Sequence, residues 1–443
     1  MSVFKKLNDW WRVDETSTLG SNDDNPHAPL QAHQKQNTFA LLTLAFGWGF
    51  LVTGLFIGGA LGAGVPFYEL LEVSFTGNAV NFVIGAAAGY IGFKTACNSG
   101  LLFRTAYGRL GALLPVLILA LLLIGWQGMI IGAFGFAWAQ SFDSITFYSV
   151  AIFAGLLFTV TTYFGIKGLE YVSIPSVVIL VLVGLYAAWT NIDAAGGWES
   201  FIALSEQTAS KNPMSSVDAI NLVIGSWIAG AIVMSDYTRF AKKAWVALAI
   251  PFVVLIIAQW CLQIIGSMGG IVSGTFDFTT YMLKQGFIIG GIGLIGMSLA
   301  LWTTGDTNLY LPAVQLASVL KKSQKSMTVI CGLIGTVLGL GLYQHFIGFI
   351  NTLALLVPPL VGPLLIDYYL INRGYYSEKL ISKHTNWNLA AIAAYVLGAA
   401  STTYEQDWIV APLFGLFISM LSYAILYPIL AKAIINHRKQ LND

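Results

Sequence analysis

Long apolar runs separated by short polar segments fill the chain from residue 38 almost to its end. Twelve runs can be delimited, centred near residues 52, 83, 125, 156, 181, 227, 257, 302, 335, 356, 396 and 419. A helix needs about 20 apolar residues to span a bilayer, whereas strands of a membrane barrel are segments of about ten residues with alternating polarity. The runs are longer and uniformly apolar, so they predict an all-α polytopic membrane protein with twelve transmembrane helices. Only Gln344 and His345 separate runs nine and ten.

The lysines and arginines test this count. If the N terminus is cytoplasmic, 20 of the 22 lysines and arginines fall in cytoplasmic segments, and only Lys211 and Lys284 lie outside. Cytoplasmic loops of membrane proteins carry such an excess of positive charge, and one missed or extra span would reverse every later loop. The polar residues 1–37 contain no apolar core of a signal peptide. We therefore expect both termini in the cytoplasm.

The composition is typical of a membrane protein and excludes several classes of function. The chain is 56% hydrophobic and 10% charged, with a mean hydropathy of +0.73, whereas soluble domains have about 25% charged residues. A net charge of +1 presents no basic face to a nucleic acid. Three cysteines without a CxxC pair predict neither a disulfide framework nor a cysteine metal site. Phosphate-loop, zinc-protease and serine-hydrolase motifs are missing from the sequence, so we expect a protein that is not an enzyme.

Glycine clusters interrupt runs one and six, at residues 47–64 and 225–230. The two runs are five apart, so a second copy beginning at run six would start on the opposite side of the membrane from the first. Paired broken helices in such an inverted repeat expose backbone groups at a central transport site. We therefore predict a break near mid-depth in both runs. The alternative, favoured for Gly58 and Gly62, is that glycines permit close helix packing.

Three tryptophans lie near the middle of apolar runs, although tryptophan normally prefers the membrane interface. These are Trp126, Trp227 and Trp302. A buried indole N–H needs a partner, and the ring alternatively offers its face to a planar ligand. Gln127 and Ser226 adjoin two of these rings with hydrogen-bonding groups. This pattern indicates a ligand site, with structural packing as the alternative.

Polar side chains in run eight are candidates for a coupling site. Asp306 is the ionisable residue that we place within a helix, and such residues are functional hypotheses by default. Thr303 and Thr304 either bond to their own helix carbonyls or, opposite unwound carbonyls of run one, suit a small hard cation. At the cytoplasmic exit of run six, Asp236 and Arg239 suggest a gating or orienting salt bridge.

Several segments, in order and at matching spacing, resemble the nucleobase–cation symporter family of cytosine, purine and hydantoin permeases. The resemblance covers roughly residues 38–430 and is carried by residues 58–62, 89–95, 125–126, 225–240, 301–306 and 366–369. It implies a leucine-transporter-like core of two inverted five-helix repeats, plus two C-terminal helices. The implied divisions are a cytoplasmic tail (1–37), a ten-helix transport core (38–372), two accessory helices (373–431) and a second cytoplasmic tail (432–443).

The resemblance also implies site residues. Trp126 and Trp227 match the aromatic pair that sandwiches a planar substrate, and Ser226 matches a position at the ring edge. The expected substrate site comprises Leu51, Trp126, Gln127, Gly225, Ser226, Trp227 and Asp306. The implied sodium site comprises the carbonyls of Gly47, Phe50 and Ala300 with the hydroxyls of Thr303 and Thr304.

This chain departs from the family where relatives have polar site residues. Leu123, Ala229 and Ala300 stand where cytosine permeases have polar groups, and Leu51 stands at the glutamine of hydantoin permeases. A substrate whose polar edges are buried unpaired binds poorly. Unless Gln127 or Asp306 substitutes, cytosine itself does not fit. We therefore expect a small, flat, nitrogen-containing heterocycle.

The functional expectation is an importer that couples this heterocycle to sodium by alternating access. Three alternatives stay open: proton coupling through Asp306, an amino-acid transporter of the same architecture, and a channel or receptor. We expect no cofactor besides the coupling ion, and no partner besides the heterocycle and membrane lipid. A monomer in a bacterial inner membrane is the expected form.

Overall fold

Helices make up most of the computed structural model, which describes residues 28–164, 169–283, 286–320, 322–382, 385–404 and 409–440. Helices cover all twelve predicted runs, and run one is divided between two of them. In the first half they are α1 (Thr38–Gly49), α2 (Thr53–Gly64), α3 (Phe67–Thr95), α4 (Ser99–Tyr107), α5 (Leu113–Ala139), α6 (Ile145–Phe164), α7 (Leu169–Ala194), α8 (Trp198–Lys211) and α9 (Ser216–Ile232).

The remaining elements complete the chain. They are α10 (Ser235–Thr238), α11 (Ala244–Pro251) continued by a π-helical stretch (Phe252–Gln259) into α12 (Trp260–Ser273), α13 (Phe278–Leu283), α14 (Phe287–Leu320), α15 (Gln324–Gly339), α16 (Phe346–Leu356), α17 (Pro358–Leu365), α18 (Glu378–Ser382), α19 (Leu389–Ser401) and α20 (Ala411–Gln440). A 3₁₀ turn at Leu342–His345 separates runs nine and ten.

Within the described ranges, seven helices are long and apolar enough to cross a membrane, and the bent pair α1–α2 is an eighth candidate when it is counted as one span. α19 is a shorter apolar helix. These elements are typical of an integral membrane protein and confirm the all-helical prediction for the described residues. That all twelve runs cross the bilayer stays a prediction.

Run one is broken, as predicted. α1 ends at Gly49, Phe50 leaves the helical conformation with φ −85° and ψ 49°, and α2 continues with a bend of 43°. Glycine is a poor helix former, and Gly47 and Gly49 both stand in the last turn of α1. The carbonyls of that turn lose their intrahelical donors.

The predicted break of run six at residues 225–230 is wrong. α9 is helical through all six residues, and the discontinuity comes later, at Val233, with φ −90° and ψ 13°. The glycines serve packing instead. A Cβ at Gly225 would collide with the carbonyl oxygen of Ile350 on α16, and one at Gly230 would lie 2.7 Å from the ring of Trp227. Close packing compensates the modest helix penalty of glycine.

Reciprocal glycine contacts join α2 to α12. A Cβ on Gly58 would overlap the carbonyl of Gln263, and a Cβ on Gly266 would overlap the carbonyl of Leu55. The same relation holds between Gly62 and α12. Small residues four apart let helix backbones approach closely in membranes, so the packing interpretation of Gly58 and Gly62 is confirmed.

Two groups of helices surround the middle of the protein. In one, α2 packs on α12 and α3 packs on α9. In the other, α5 packs on α6, α14 and α15. α16 contacts α9 in the first group, and its Phe349 lies against α5 in the second. Both predicted ligand segments, on α5 and α9, therefore face α16.

Candidate functional site

The two helices that carry the central tryptophans, α5 and α9, both contact one turn of α16. On α5, a Cβ at Gly125 would lie 2.6 Å from the ring of Phe349. On α9, Gly225 approaches the carbonyl of Ile350, the next residue of α16. Trp126 follows Gly125 directly and Trp227 lies two residues after Gly225; each indole is 5% exposed. The two glycines thus allow both tryptophan-bearing helices to approach adjacent residues of a third helix.

The two indoles have different aromatic neighbours. Trp126 lies edge-on to Phe346, at 6.3 Å between ring centroids, and to Phe349, at 5.7 Å. Trp227 lies edge-on to Trp48, at 5.1 Å. The Nε1–H of Trp227 is buried without a hydrogen-bond partner. A ligand acceptor would satisfy it, and leaving it unpaired is unfavourable.

The remaining predicted substrate residues fall into separate surroundings. Leu51 lies in the break of run one and shares an apolar cluster with Trp227. The hydroxyl of Ser226 donates to the carbonyl of Val223 in its own helix, at 2.7 Å. The aliphatic part of Gln127 packs towards Gly335 on α15, while both polar atoms of its amide are buried without partners.

Asp306 belongs to a polar cluster between α14 and α6. Its Oδ1 accepts hydrogen bonds from the hydroxyls of Thr161, at 2.7 Å, and Thr162, at 3.1 Å. The indole N–H of Trp302 donates to the Thr161 hydroxyl at 3.2 Å. The carboxyl is 1% exposed. These contacts associate Asp306 with α6 and explain the central position of Trp302 by a hydrogen bond.

The predicted cation ligands of run eight share one turn of α14. The Thr303 hydroxyl donates to the carbonyl of Ala300 at 3.1 Å. The Thr304 hydroxyl is buried without a partner. Gly47 and Phe50 lie in the turn where α1 ends, whose carbonyls have lost intrahelical donors. Carbonyl and hydroxyl oxygens are what a hard cation prefers, so the donor types and the unpartnered Thr304 hydroxyl fit one.

The end of run six that is predicted to be cytoplasmic is hydrogen-bonded to α4. Asp236 accepts hydrogen bonds from the backbone N–H of Ser99, at 2.6 Å, and from its hydroxyl, at 2.9 Å. Arg239 donates from Nε to the backbone carbonyl of Asp236 at 3.3 Å. A carboxylate at a helix N terminus is stabilising, so this contact gives Asp236 a connecting role at the predicted exit.

Some polar contacts near the site escaped the sequence reasoning. Asp277, between α12 and α13, is 5% exposed and accepts a hydrogen bond from the hydroxyl of Tyr343 at 2.7 Å. It also accepts from the N–H of Thr280, and that spacing is a helix N-cap signal that was available in the sequence. Burial raises the pKa of Asp277, against the opposing effect of these hydrogen bonds.

Two further residues were missed near the break of run one. The Gln259 Nε2 donates to the carbonyl of Gly49 at 2.6 Å, and Trp48 stacks on Tyr237 at 4.0 Å. A glutamine in an apolar run was the available signal for the first contact. For the second contact, the sequence offered no signal of which ring Trp48 would meet.

Comparison with known proteins identifies relatives along almost the whole chain. A family model for permeases of cytosine/purines, uracil, thiamine and allantoin matches residues 30–426. Cytosine permease of Escherichia coli strain K12 is 30% identical over 411 residues, which covers 93% of this chain and 96% of the relative. Hydantoin permease of Microbacterium maritypicum is 22% identical over 441 residues, covering 86% and 85% of the two chains.

A solved structure shares the fold. Mhp1, a nucleobase-cation-symport-1 family transporter in a closed conformation with bromovinylhydantoin bound, superposes with a TM-score of 0.79. The two sequences are 19% identical, and the match covers 93% of this chain and 97% of Mhp1. At that identity the likeness concerns the fold.

Proposed function

The chain belongs to the family of permeases for cytosine, purines, uracil, thiamine and allantoin, and from this premise we propose that it imports a small planar nitrogen heterocycle coupled to sodium. Family membership confirms the resemblance found in the sequence, and makes the chain an integral membrane transporter rather than an enzyme. The observation that carries the substrate proposal is the buried N–H of Trp227, which has no hydrogen-bond partner.

In this proposal the heterocycle stacks between Trp126 and Trp227. The Trp227 N–H supplies a donor, and the unpaired amide of Gln127 is the nearest polar group in sequence to the other ring. The apolar residues Leu51, Leu123 and Ala229 leave few other hydrogen-bonding groups. A flat ring with few polar edges suits such a site, because each unpaired polar edge would weaken binding.

The coupling ion is proposed to be sodium, held by the carbonyls of Gly47, Phe50 and Ala300 and by the hydroxyls of Thr303 and Thr304. Its binding would fix the broken helix against α14. Substrate and cation then tighten each other's binding by the same factor, and joint occupancy favours rocking of the bundle of runs one, two, six and seven.

The architecture proposed for this cycle is twelve spans with both termini in the cytoplasm. Residues 38–372 form the two inverted five-helix repeats, and residues 373–431 add two accessory helices. We propose that the monomer works alone in a bacterial inner membrane. The positive charge of the cytoplasmic segments supports this orientation.

Uptake of radiolabelled heterocycles into proteoliposomes tests the proposal. An inward sodium gradient should drive concentration of one compound, whereas an inward proton gradient without sodium should not. A solute that equilibrates but is never concentrated under either gradient would contradict secondary active transport.

Proton coupling through Asp306 is the second candidate, because this carboxyl is buried and its Oδ1 accepts hydrogen bonds from two threonine hydroxyls. Asp306→Asn keeps the shape and removes the titrating proton. Uptake that follows the proton gradient and is lost in this variant would favour proton coupling over sodium.

Replacing Thr304 by alanine should weaken the sodium response first. One lost oxygen ligand at about 1.5 kcal/mol raises the sodium concentration for half-maximal uptake about tenfold, with the maximal rate kept. Thr328→Ala is the matched control, because that buried hydroxyl bonds the carbonyl of Gln324 in its own helix. An unchanged sodium response in Thr304→Ala would remove the assigned site.

A further inference from the structure

Four amide side chains lie inside the bundle formed by runs one, two, six and seven. Asn78 and Asn81 stand on α3, Gln259 ends the π-helical stretch, and Gln263 follows on α12. All four are 0% exposed. Burying an amide in a membrane bundle costs free energy unless the amide is hydrogen-bonded, so the hydrogen bonds of these four side chains indicate more than packing.

Asn81 and Gln259 donate hydrogen bonds to the backbones of the helices that carry the proposed ligand sites. Asn81 donates from Nδ2 to the carbonyls of Val223, at 3.2 Å, and Ile224, at 3.1 Å, directly before the segment that carries Trp227. Gln259 donates from Nε2 to the carbonyl of Gly49 at 2.6 Å, in the turn where run one breaks.

The other two amides, Asn78 and Gln263, are hydrogen-bonded to each other and connect these two contacts. Asn78 donates from Nδ2 to the Oε1 of Gln263 at 2.7 Å. Asn78 is three residues from Asn81, and Gln263 is four residues from Gln259. Residues at these spacings lie on the same face of a helix. The four amides therefore form one polar line from run six through runs two and seven to run one.

This line has the symmetry of the proposed repeat. A side chain of run two, Asn81, donates to the backbone of run six, and a side chain of run seven, Gln259, donates to the backbone of run one. Runs two and seven are five apart, as are runs one and six. A Pro251 in run seven precedes the π-helical stretch. Proline removes a helix hydrogen bond and π-helical turns are frequent at functional sites; Gln259 ends this stretch and donates to the carbonyl of Gly49 at the break.

We propose that Asn78, Asn81, Gln259 and Gln263 form an amide relay that positions the cation-binding turn of run one and the substrate-binding turn of run six, and couples them. The proposal rests on the sodium-coupled function proposed above. Gln259 orients the turn whose Gly47 and Phe50 carbonyls face the cation, and Asn81 orients the turn before Trp227. These are positioning residues, since neither touches a ligand.

Each amide also keeps one buried polar atom without a partner, namely Asn78 Oδ1, Asn81 Oδ1, Gln259 Oε1 and Gln263 Nε2. A purely structural network is normally fully satisfied. Unused donor and acceptor capacity lets the relay exchange partners as the bundle moves, which a close-packed apolar interior does not permit.

Kinetics of two variants in proteoliposomes test the relay. Gln259→Leu should raise the sodium KM about tenfold, in the usual range for coupled sites, while the maximal rate and the heterocycle KM at saturating sodium stay near wild type. Asn81→Leu should do the reverse and raise chiefly the heterocycle KM. Gln315→Leu on α14 is the control, because both polar atoms of that buried amide are already unpaired and no hydrogen bond is lost.

Equal loss of maximal rate in both relay variants, with both KM values unchanged, would mean that the amides only stabilise the fold and would overturn the relay. If Gln259→Leu does not fold, Gln263→Leu decides, because it removes the hydrogen bond between Asn78 and Gln263 and keeps the amide hydrogen bonds to the backbones of runs one and six. It should reduce the factor by which sodium tightens heterocycle binding, and an unchanged factor would overturn the relay.

If the wild-type protein moves no heterocycle under a sodium gradient, the proposed function fails, and this result is distinct from failure of the relay. The relay is then tested through stability. Melting temperatures of Asn78→Leu, Gln263→Leu and the double variant should be non-additive for residues in direct contact. Additive shifts would overturn the connection between the two halves.

Discussion

Trp126→Ala is expected to weaken heterocycle binding. Stacking of a base on an aromatic side chain contributes roughly 1–3 kcal/mol, so the loss of one wall weakens binding by about fivefold to 150-fold. Trp126→Phe keeps a flat face and should retain most of the affinity. Binding is measured by isothermal titration calorimetry on detergent-purified protein with saturating sodium.

The interpretation of this result needs a control for folding, because the Trp126 ring is buried against Phe346 and Phe349 and its removal leaves a cavity. Trp189→Ala removes a ring that is 75% exposed on α7 and should leave affinity unchanged. Trp126→Ala protein that is monodisperse and folded, yet binds the heterocycle with normal affinity, would rule out stacking on this ring.

Gly266→Ala is expected to cause the largest loss of stability. Its new Cβ would collide with the carbonyl of Leu55 on α2, and Gly58 is held against α12 in the same way. Both partners are backbone, so no side chain can move aside. Overpacking of this kind costs about 1–3 kcal/mol, and the melting temperature of the purified protein should fall.

Gly348→Ala is the matched control, because this glycine is exposed on α16 and its Cβ position has open space around it. Alanine is the better helix former by about 1 kcal/mol, so this variant should melt at or above the wild-type temperature. A Gly266→Ala protein as stable as wild type would mean that α2 and α12 are not in contact as described.

Local sequence properties predicted much of the fold. Apolar runs located the helices because the bilayer sets their length, and the glycines of run one marked its break because glycine destabilises a helix end. The same reasoning failed at Gly225 and Gly230, since these glycines make room for Ile350 and for the ring of Trp227. Whether a glycine breaks a helix or fills a contact depends on a distant partner.

The sequence indicated single residues of the candidate site by their type and depth, but it did not indicate which residues they contact. Thr304 stood out as a hydroxyl in an apolar run. Trp227 stood out by its depth, but its neighbour Trp48 did not, because the contact joins residues far apart in sequence. Asn81 and Gln259 were visible as amides in apolar runs. Their partners are backbone carbonyls, which carry no sequence signal.

Heterocycle binding and its dependence on sodium are both tested by the melting temperature of the detergent-purified protein, measured against nucleobases, hydantoins and related heterocycles with and without sodium. A ligand that binds only the folded state raises its stability by mass action. One heterocycle should raise the melting temperature, and sodium should enlarge the shift. No shift with any heterocycle would contradict the substrate class, and a shift that is equal in sodium and in potassium would contradict sodium coupling.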